Sequence, residues 1–406
     1  MSGFASELDA VDRNGILRRI EAASSGDAER AIARADGSPA LAPENIIPLV
    51  SPAAAALLEP MAQKAKVVTA RRFGRTISIY APLYISNYCD NACVYCGFSV
   101  NNQVARRDLT FDEILQEAKL LKGRRISQLL LVSGESRQHA GAGSLARIAA
   151  ALKSSFPSLA IELYPLETAE YASLRAAGVN GLTIYQETYD RAVYAQAHPA
   201  GPKRDYDYRL EAPERGGSAG FRQIGIGSLL GLNDWRIEAY YLARHAVYLM
   251  KHYWKSQVSI SFPRLRPAAG GYQPQQPVSE RELAQMIFAL RLTLPDAGLA
   301  LSTRESALFR DNMMGLGVTK MSAGSKTSPG GYLDGSASLR AETPALWRAG
   351  MLTAGKLDNN LDELGKTAGD QFAVCDDRSV EDVAAAIRNK GYDPVWKDWD
   401  QGFENP

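Results

Sequence analysis

Three of the chain's four cysteines stand in the run Cys89-Asp-Asn-Ala-Cys93-Val-Tyr-Cys96, within eight residues of one another. Thiolates this closely spaced can wrap one centre, and nothing nearby completes the set. The fourth cysteine is Cys375, and the four histidines (His139, His198, His245 and His252) are scattered without ligand spacing. A three-thiolate set leaves one coordination position open. On a four-iron, four-sulfur cluster it leaves one iron free to bind a substrate or cosubstrate. On zinc the same count gives a catalytic-type site with water in the fourth place. The CxxxCxxC spacing, with the aromatic Tyr95 before the last cysteine, favours the cluster over zinc and over an inert group of thiols. Clustered cysteines in a chain of 406 residues point to metal binding, not to a disulfide scaffold. Thiols kept as ligands imply a reducing compartment, so a cytoplasmic protein is expected.

The elements that position these residues read as alternating strands and helices. Short β-rich runs begin near Thr76, Ser127, Leu159, Gly181, Phe221, Gln257, Leu299 and Gly317, and segments with helical periodicity lie between most of them. Thr110 with Glu113, Ser279 with Glu282, and Ser379 with Asp382 have capping-box spacing. The stretch after Asp234 sets Trp235, Tyr240, Ala243 and Val247 on one helical face, and Pro295 and Gly391 sit where helices should stop. Leu129 to Val132 and Ile224 to Ile226 are apolar without alternation, as parallel strands buried on both faces are. Eight such strands over about 250 residues fit an α/β fold of (β/α)8 TIM type. The expected organisation is a helical N-terminal extension over 1–75, with an alanine-rich helix from Ser51 to about Arg72, and a barrel over 76–327. A C-terminal extension over 328–406 is a candidate lid. It opens with the loop Pro329-Gly330-Gly331, carries a polar, acidic stretch from Asp358 to Gly369, and ends in a helix over Val380 to Asn389 and the tail Trp396-Lys-Asp-Trp399. Trp254, Phe262 and the alanine-rich helix read as core.

Composition narrows the class. Hydrophobic residues make up 46% and charged residues 22%, with a formal net charge of +1. That is ordinary for a soluble globular chain, and no basic stripe with interleaved aromatics invites nucleic acid. No apolar run approaches the roughly 20 residues that span a bilayer, and Met1 to Arg13 lacks the charged-then-apolar pattern of a signal.

The cysteine run resembles the motif of the radical S-adenosylmethionine superfamily. There the open iron is chelated by the amino and carboxylate groups of the cosubstrate's methionine moiety, and reduction yields a 5′-deoxyadenosyl radical. In a barrel the loops after the strands form the catalytic face, so residues ending strands come first. By this resemblance Gly134 and Glu135, after strand two, receive the methionine ammonium. Glu187, after strand four, binds the ribose hydroxyls, and Arg209 the methionine carboxylate. Glu162 on strand three is a further candidate of the same kind, and Tyr95 is placed among the cofactor-binding residues. Gly225-Ile-Gly227-Ser-Leu-Leu-Gly231 has the wrong spacing and position for a dinucleotide loop; its glycines are expected to let an adenine approach the backbone. An arginine ending a late barrel strand, among Arg264, Arg266 and Arg304, would be buried without a partner unless a ligand carboxylate arrives. The competing reading is a structural pair with Glu305. Ser325 and Lys326 lie in the same late region.

Several stretches together resemble one family. Pro82-Leu-Tyr84-Ile-Ser-Asn87, Cys96-Gly-Phe98, Tyr185-Gln-Glu-Thr-Tyr189, Ser261-Phe-Pro-Arg-Leu-Arg-Pro267 and Pro394-Val-Trp-Lys-Asp-Trp399 are similar to the 2-iminoacetate synthases, the tyrosine lyases of thiamine biosynthesis. The resemblance implies cleavage of the Cα–Cβ bond of L-tyrosine to p-cresol and 2-iminoacetate (dehydroglycine). It implies a [4Fe-4S] cluster and S-adenosyl-L-methionine as cofactors, an external electron donor such as flavodoxin, and thiazole synthase as the partner that takes the product. By likeness to related lyases Arg304 anchors the tyrosine carboxylate, and Tyr84 and Ser322 line the same pocket. Residues 341–369 match nothing expected of the family, and Cys375 reads as a plain thiol. A hydrogenase-maturing relative would carry a second, C-terminal cysteine motif, against which the isolated Cys375 argues. A tryptophan lyase and a non-catalytic zinc scaffold for thiazole synthase stay as alternatives.

Overall fold

The computed structural model describes residues 3–35, 42–335 and 369–397. Helices come first: α1 (Phe4–Asp9), α2 (Arg13–Ala22), α3 (Ser25–Arg34) and α4 (Leu58–Phe73). The expected helix from Ser51 is split, because 3-10 turns occupy Pro48–Val50 and Ala53–Leu57 before α4 begins. Ser51 shapes this entry, its hydroxyl donating to Pro48 O and accepting from Ala54 N.

Eight parallel strands then alternate with helices. β1 (Thr76–Ser86) leads through α5 (Phe111–Gly123) to β2 (Gln128–Ser133), through α6 (Ala142–Leu152) to β3 (Ser158–Glu162), and through α7 (Thr168–Ala177) to β4 (Gly181–Glu187). Three short helices, α8 (Arg191–Ala197), α9 (Tyr206–Leu210) and α10 (Ala212–Ser218), precede β5 (Gln223–Ser228). Then come α11 (Trp235–His252), β6 (Gln257–Ser261), α12 (Glu280–Thr293), β7 (Gly298–Leu301), α13 (Ala307–Met313) and β8 (Lys320–Ser322). β8 pairs with β1, with Tyr80 opposite Ser322, and so closes a (β/α)8 barrel. The three capping boxes read from the sequence form at α5, α12 and α14 (Val380–Asn389).

The two-residue period of β1 sorts its side chains. Ile77, Ile79, Ala81 and Leu83 are buried against the surrounding helices, while Tyr80, Pro82 and Tyr84 point into the barrel and line its cavity. The register sets Tyr84 opposite Val132 and Val132 opposite Glu162, so these three stand level across adjacent strands near the mouth. Pairing is irregular between Tyr84 and Ser86 and between Tyr185 and Glu187, where both strands feed the mouth.

The N-terminal extension lies on α11 and α12. Gln285, buried on α12, donates to Leu49 O and Ser51 O at 3.0 and 2.9 Å, and Phe4 stacks on His245 of α11 at 4.2 Å. At the other end of the chain a short strand appears that sequence patterning did not reveal. β9 (Asp393–Val395) pairs with the start of β1, Ile77 opposite Pro394, on the side of the barrel away from the mouth. Its edge position tolerates the proline. Trp254 corrects the expectation of a core residue: it is 75% exposed in the turn after α11, whereas Phe262 is buried. Among the described residues no single helix is long and apolar enough to cross a membrane. Of the segment 341–369, only Gly369 falls within the described residues.

Candidate active site

Two adjoining cavities open at the carboxyl ends of the strands. The first, with about 590 Å³ of empty space, is lined by Cys89, Cys93 and Cys96 together with Glu135, Glu187, Lys203 and Arg209. The cysteine loop that follows β1 is held by backbone-directed side chains. Asn87 donates to Ala105 O and accepts from Arg107 N at 2.8 and 2.7 Å. Arg106 donates to the carbonyls of Asn87, Phe98 and Ser99 at 2.6, 2.8 and 2.6 Å. A guanidinium satisfying three carbonyls fixes a loop that has no ladder of its own. Gly134 is required where this loop crosses β2, since a Cβ there would lie 2.2 Å from Tyr88 O. Its N–H is spent on Ser86 O at 3.0 Å, and its carbonyl accepts from Ser133 Oγ at 2.9 Å, keeping one lone pair for a ligand.

The polar residues around the thiols form one network. Asn91 donates to Glu135 Oε2 at 2.6 Å and accepts from Lys203 N at 2.7 Å. Glu187, the residue expected to bind the ribose hydroxyls, lines the cavity and meets Lys203 Nζ at 2.6 Å and Arg209 Nη2 at 3.5 Å. Burial would raise its carboxyl, but Lys203 and Arg209 outweigh that and hold it below the usual range. Its backbone is left-handed, φ 72°, unusual for a non-glycine residue and common at functional sites. Glu238 of α11 supports that turn from beneath. Its buried carboxylate accepts from Thr188 Oγ1, Ser228 Oγ and Asn233 Nδ2 at 2.6, 2.9 and 2.8 Å, and from Tyr189 N. Arg209 donates through Nε to Tyr185 O at 2.7 Å, which aims its outer nitrogens at the cavity. Tyr95 accepts from Lys203 Nζ at 3.0 Å and donates to His198 Nε2 at 2.9 Å. His198 Nδ1 donates to Tyr194 O, and burial, with Lys203 nearby, lowers the imidazole to about 3, so it stays neutral and accepts.

The donor set suits an iron–sulfur cluster. All three sulfurs are free thiols lining one cavity. Burial pushes Cys93 up to about 12 and Cys96 up to about 11, so these thiols keep their protons near neutrality unless a soft metal replaces them. Among the described residues no three His, Cys, Asp or Glu side chains converge as a single ion requires. Three soft thiol donors lining one cavity are the set a [4Fe-4S] group takes.

The second cavity, with about 660 Å³ of empty space, continues into the barrel, sharing Val132, Glu162 and Tyr185 with the first. Tyr80, Tyr84, Leu130 and Leu301 give it an apolar, aromatic wall, and Arg304 stands at its rim with Ser322. The three late arginines separate here. Glu305 pairs with Arg264 and, at 2.8 Å, with Arg266, a closed buried cluster. Arg304 takes no part in it. Its guanidinium lies 3.4 Å from the ring centroid of Phe372, touches Arg264 O at 3.4 Å, and lines the cavity. Ser322 Oγ accepts from Thr303 N at 3.0 Å, which limits its part in ligand binding. Ser325 lines the same cavity with its hydroxyl unpaired. At Gly227 a Cβ would lie 2.6 Å from Ser261 O and 2.6 Å from the Tyr185 ring, so the packing of β5 on its neighbours itself requires a glycine there.

A C-terminal strap, Gly369 to Asp376, roofs both cavities. Gln371 O accepts from Gly97 N at 3.0 Å, and Gln371 Oε1 accepts from Tyr84 OH at 2.7 Å. Phe372 covers Arg304, Ala373 N donates to Pro267 O, and Cys375 N donates to Thr303 O. The fully buried Arg310–Asp376 pair anchors its end. Sequence reasoning missed Lys203, Asn91, Gln371, Phe372 and Glu238. For Asn91, its place inside the cysteine run was a usable signal; the others reach the site only through the fold.

A family model described as the Radical SAM superfamily matches residues 83–242, and one described as the Biotin and Thiamin Synthesis associated domain matches 261–393. The chain is 42% identical to the 2-iminoacetate synthase of Escherichia coli (strain K12) over 98% of its length and 97% of that protein. It is 41% identical, over the same shares, to the 2-iminoacetate synthase of Salmonella typhimurium. Among solved structures it resembles HydG, a maturase of the [FeFe]-hydrogenase, with TM-score 0.85 and 28% identity, covering 97% of this chain and 81% of that one.

Proposed function

The chain belongs to the 2-iminoacetate synthase family of radical S-adenosylmethionine enzymes, and from that premise we propose that it cleaves the Cα–Cβ bond of L-tyrosine to 2-iminoacetate and p-cresol. Cys89, Cys93 and Cys96 would hold a [4Fe-4S] cluster, and Gly134 O, Glu135 and Arg209 are the groups left facing S-adenosylmethionine. Bound there and given one electron by an external donor, cluster and cosubstrate would supply the hydrogen-abstracting chemistry, with 5′-deoxyadenosine and methionine as by-products. The protein's own task is positioning. Arg304, with one face covered by Phe372, offers its in-plane N–H fork to the tyrosine carboxylate, a bidentate pairing. Tyr84 and its neighbours Tyr80 and Leu130 form the wall for the phenol ring, and the strap excludes water.

The observation that carries this reading is the shared wall. Val132, Glu162 and Tyr185 border both the thiol cavity and the arginine cavity, so two bound molecules would touch there. A reactive radical must be made within contact of its target. The same reading divides the chain into the extension 1–75, the barrel 76–327 and the C-terminal extension 328–406. It supposes a cytoplasmic enzyme, an electron donor such as flavodoxin, and thiazole synthase as recipient of the product. Replacing Cys93 with Ala is expected to abolish 5′-deoxyadenosine formation by the anaerobically reconstituted protein. A variant that still cleaves S-adenosylmethionine would refute the reading.

A further inference from the structure

The carboxylates around the two cavities are accounted for, with one exception. Glu135 accepts from Asn91, Glu187 pairs with Lys203 and Arg209, and Glu305 pairs with Arg264 and Arg266. Glu162, at the end of β3, lines both cavities and accepts a hydrogen bond from Tyr185, but unlike Glu187 and Glu305 it has no cationic side chain within ion-pairing distance among the described residues. Arg304, across the second cavity, is a half-buried cation equally without a carboxylate partner among the described residues. A charge largely withdrawn from water without an opposite partner is costly, and two of opposite sign bordering one cavity suit a ligand with both charges. An α-amino acid zwitterion is such a ligand.

Resting on the tyrosine reading above, we propose that Glu162 receives the substrate's α-ammonium group and accepts a proton from it, so that the nitrogen enters the reaction as a neutral amine. The step is R–NH3+ with Glu162–COO− giving R–NH2 with Glu162–COOH, with no electron moved. An ammonium nitrogen carries three hydrogens and the imine nitrogen of 2-iminoacetate one, so a proton acceptor is needed beside it. Glu162 is thereby moved from the cofactor to the substrate, as a catalytic residue.

The surroundings fit that task. Toward Glu162 β1 presents Tyr80 and Tyr84, β4 presents Tyr185 and Glu187, α9 presents Arg209, and the loop after β7 presents Arg304; the facing strand β2 offers only Leu130 and Val132. Burial dominates and raises the carboxyl to about 7, with Arg304 acting against it. A carboxyl poised there gives up or takes a proton near neutrality at little cost, as a general base must.

The test compares wild type, Glu162→Gln and Glu162→Asp, loaded with cluster and S-adenosylmethionine. Binding of L-tyrosine and of 3-(4-hydroxyphenyl)propanoate, which lacks the amine, is measured by calorimetry alongside p-cresol formation. Wild type should prefer tyrosine, and Glu162→Gln should lose roughly tenfold to a hundredfold of tyrosine affinity, the worth of a hydrogen bond to a charged group, while holding the amine-free compound as wild type does. Glu162→Asp, which keeps the charge, should recover part of the preference and of p-cresol formation. Equal loss of both ligands in Glu162→Gln, or a fall in S-adenosylmethionine affinity with tyrosine affinity kept, overturns the inference. A wild type that prefers tyrosine through Glu162 yet makes no p-cresol would leave the ammonium contact standing while refuting the reaction and the proton transfer proposed for it.

Discussion

Charge placement decides most of this site at the level of single residues. Glu187 is locked by Lys203 and Arg209, Glu305 by two arginines, and Glu238 by hydroxyl, amide and backbone donors. Glu162 has no such set of donors, and burial raises its carboxyl to about 7, which ties it to stability. The native carboxyl holds its proton up to about 7, while an unfolded one releases it near 4.5. Unfolding therefore releases a proton between these values, and this group's contribution is full below pH 4.5 and is lost as the pH rises to 7. In the metal-free chain, the melting temperature of wild type relative to Glu162→Gln should fall by a few degrees across that window. A flat difference would place the Glu162 carboxyl at its ordinary value. The three cysteines, Glu135, Glu187 and Arg304 were legible in the sequence because residue type and a position at or just after a strand end coincide; Arg209, on α9, was read by resemblance. Lys203 and Phe372 were not, since each is an ordinary residue in a loop whose path only tertiary packing decides.

Among the elements, the strap from Gly369 to Asp376 does the most for the site. It touches the cysteine loop at Gly97, the ring of the second cavity at Tyr84, and the arginine at its rim. Gly97 is the tightest of these contacts: a Cβ would lie 2.2 Å from Asp370 O. Gly97→Ala must push the strap away, at a cost of about 1–3 kcal/mol. Displacing Phe372 and Gln371 should then raise the KM for tyrosine and lower the p-cresol formed per 5′-deoxyadenosine. Unaltered coupling and KM would show that the strap is packing and no more. The eight barrel strands were legible because apolar runs between helices announce parallel strands, and the capped helices because their boxes are local. β9 was hidden: three residues with a proline carry no period, and only its partner β1 makes it a strand. The strap has no period either.

As a whole, the molecule places a thiol cavity and an aromatic, arginine-rimmed cavity end to end in the mouth of one barrel, with a common wall at Val132, Glu162 and Tyr185. The helices before β1 brace α11 and α12 on the outside, and the chain after β8 returns to roof the mouth. Closure by a distant segment suits radical chemistry, which must exclude water until the product forms. The central claim is that the second cavity takes tyrosine and that the bond broken is Cα–Cβ. Anaerobic incubation of the reconstituted protein with S-adenosylmethionine, a reductant and each aromatic amino acid in turn, followed by mass detection, tests it most directly. The account predicts p-cresol with matching 5′-deoxyadenosine from tyrosine alone; products from tryptophan, or 5′-deoxyadenosine with no p-cresol, would contradict it.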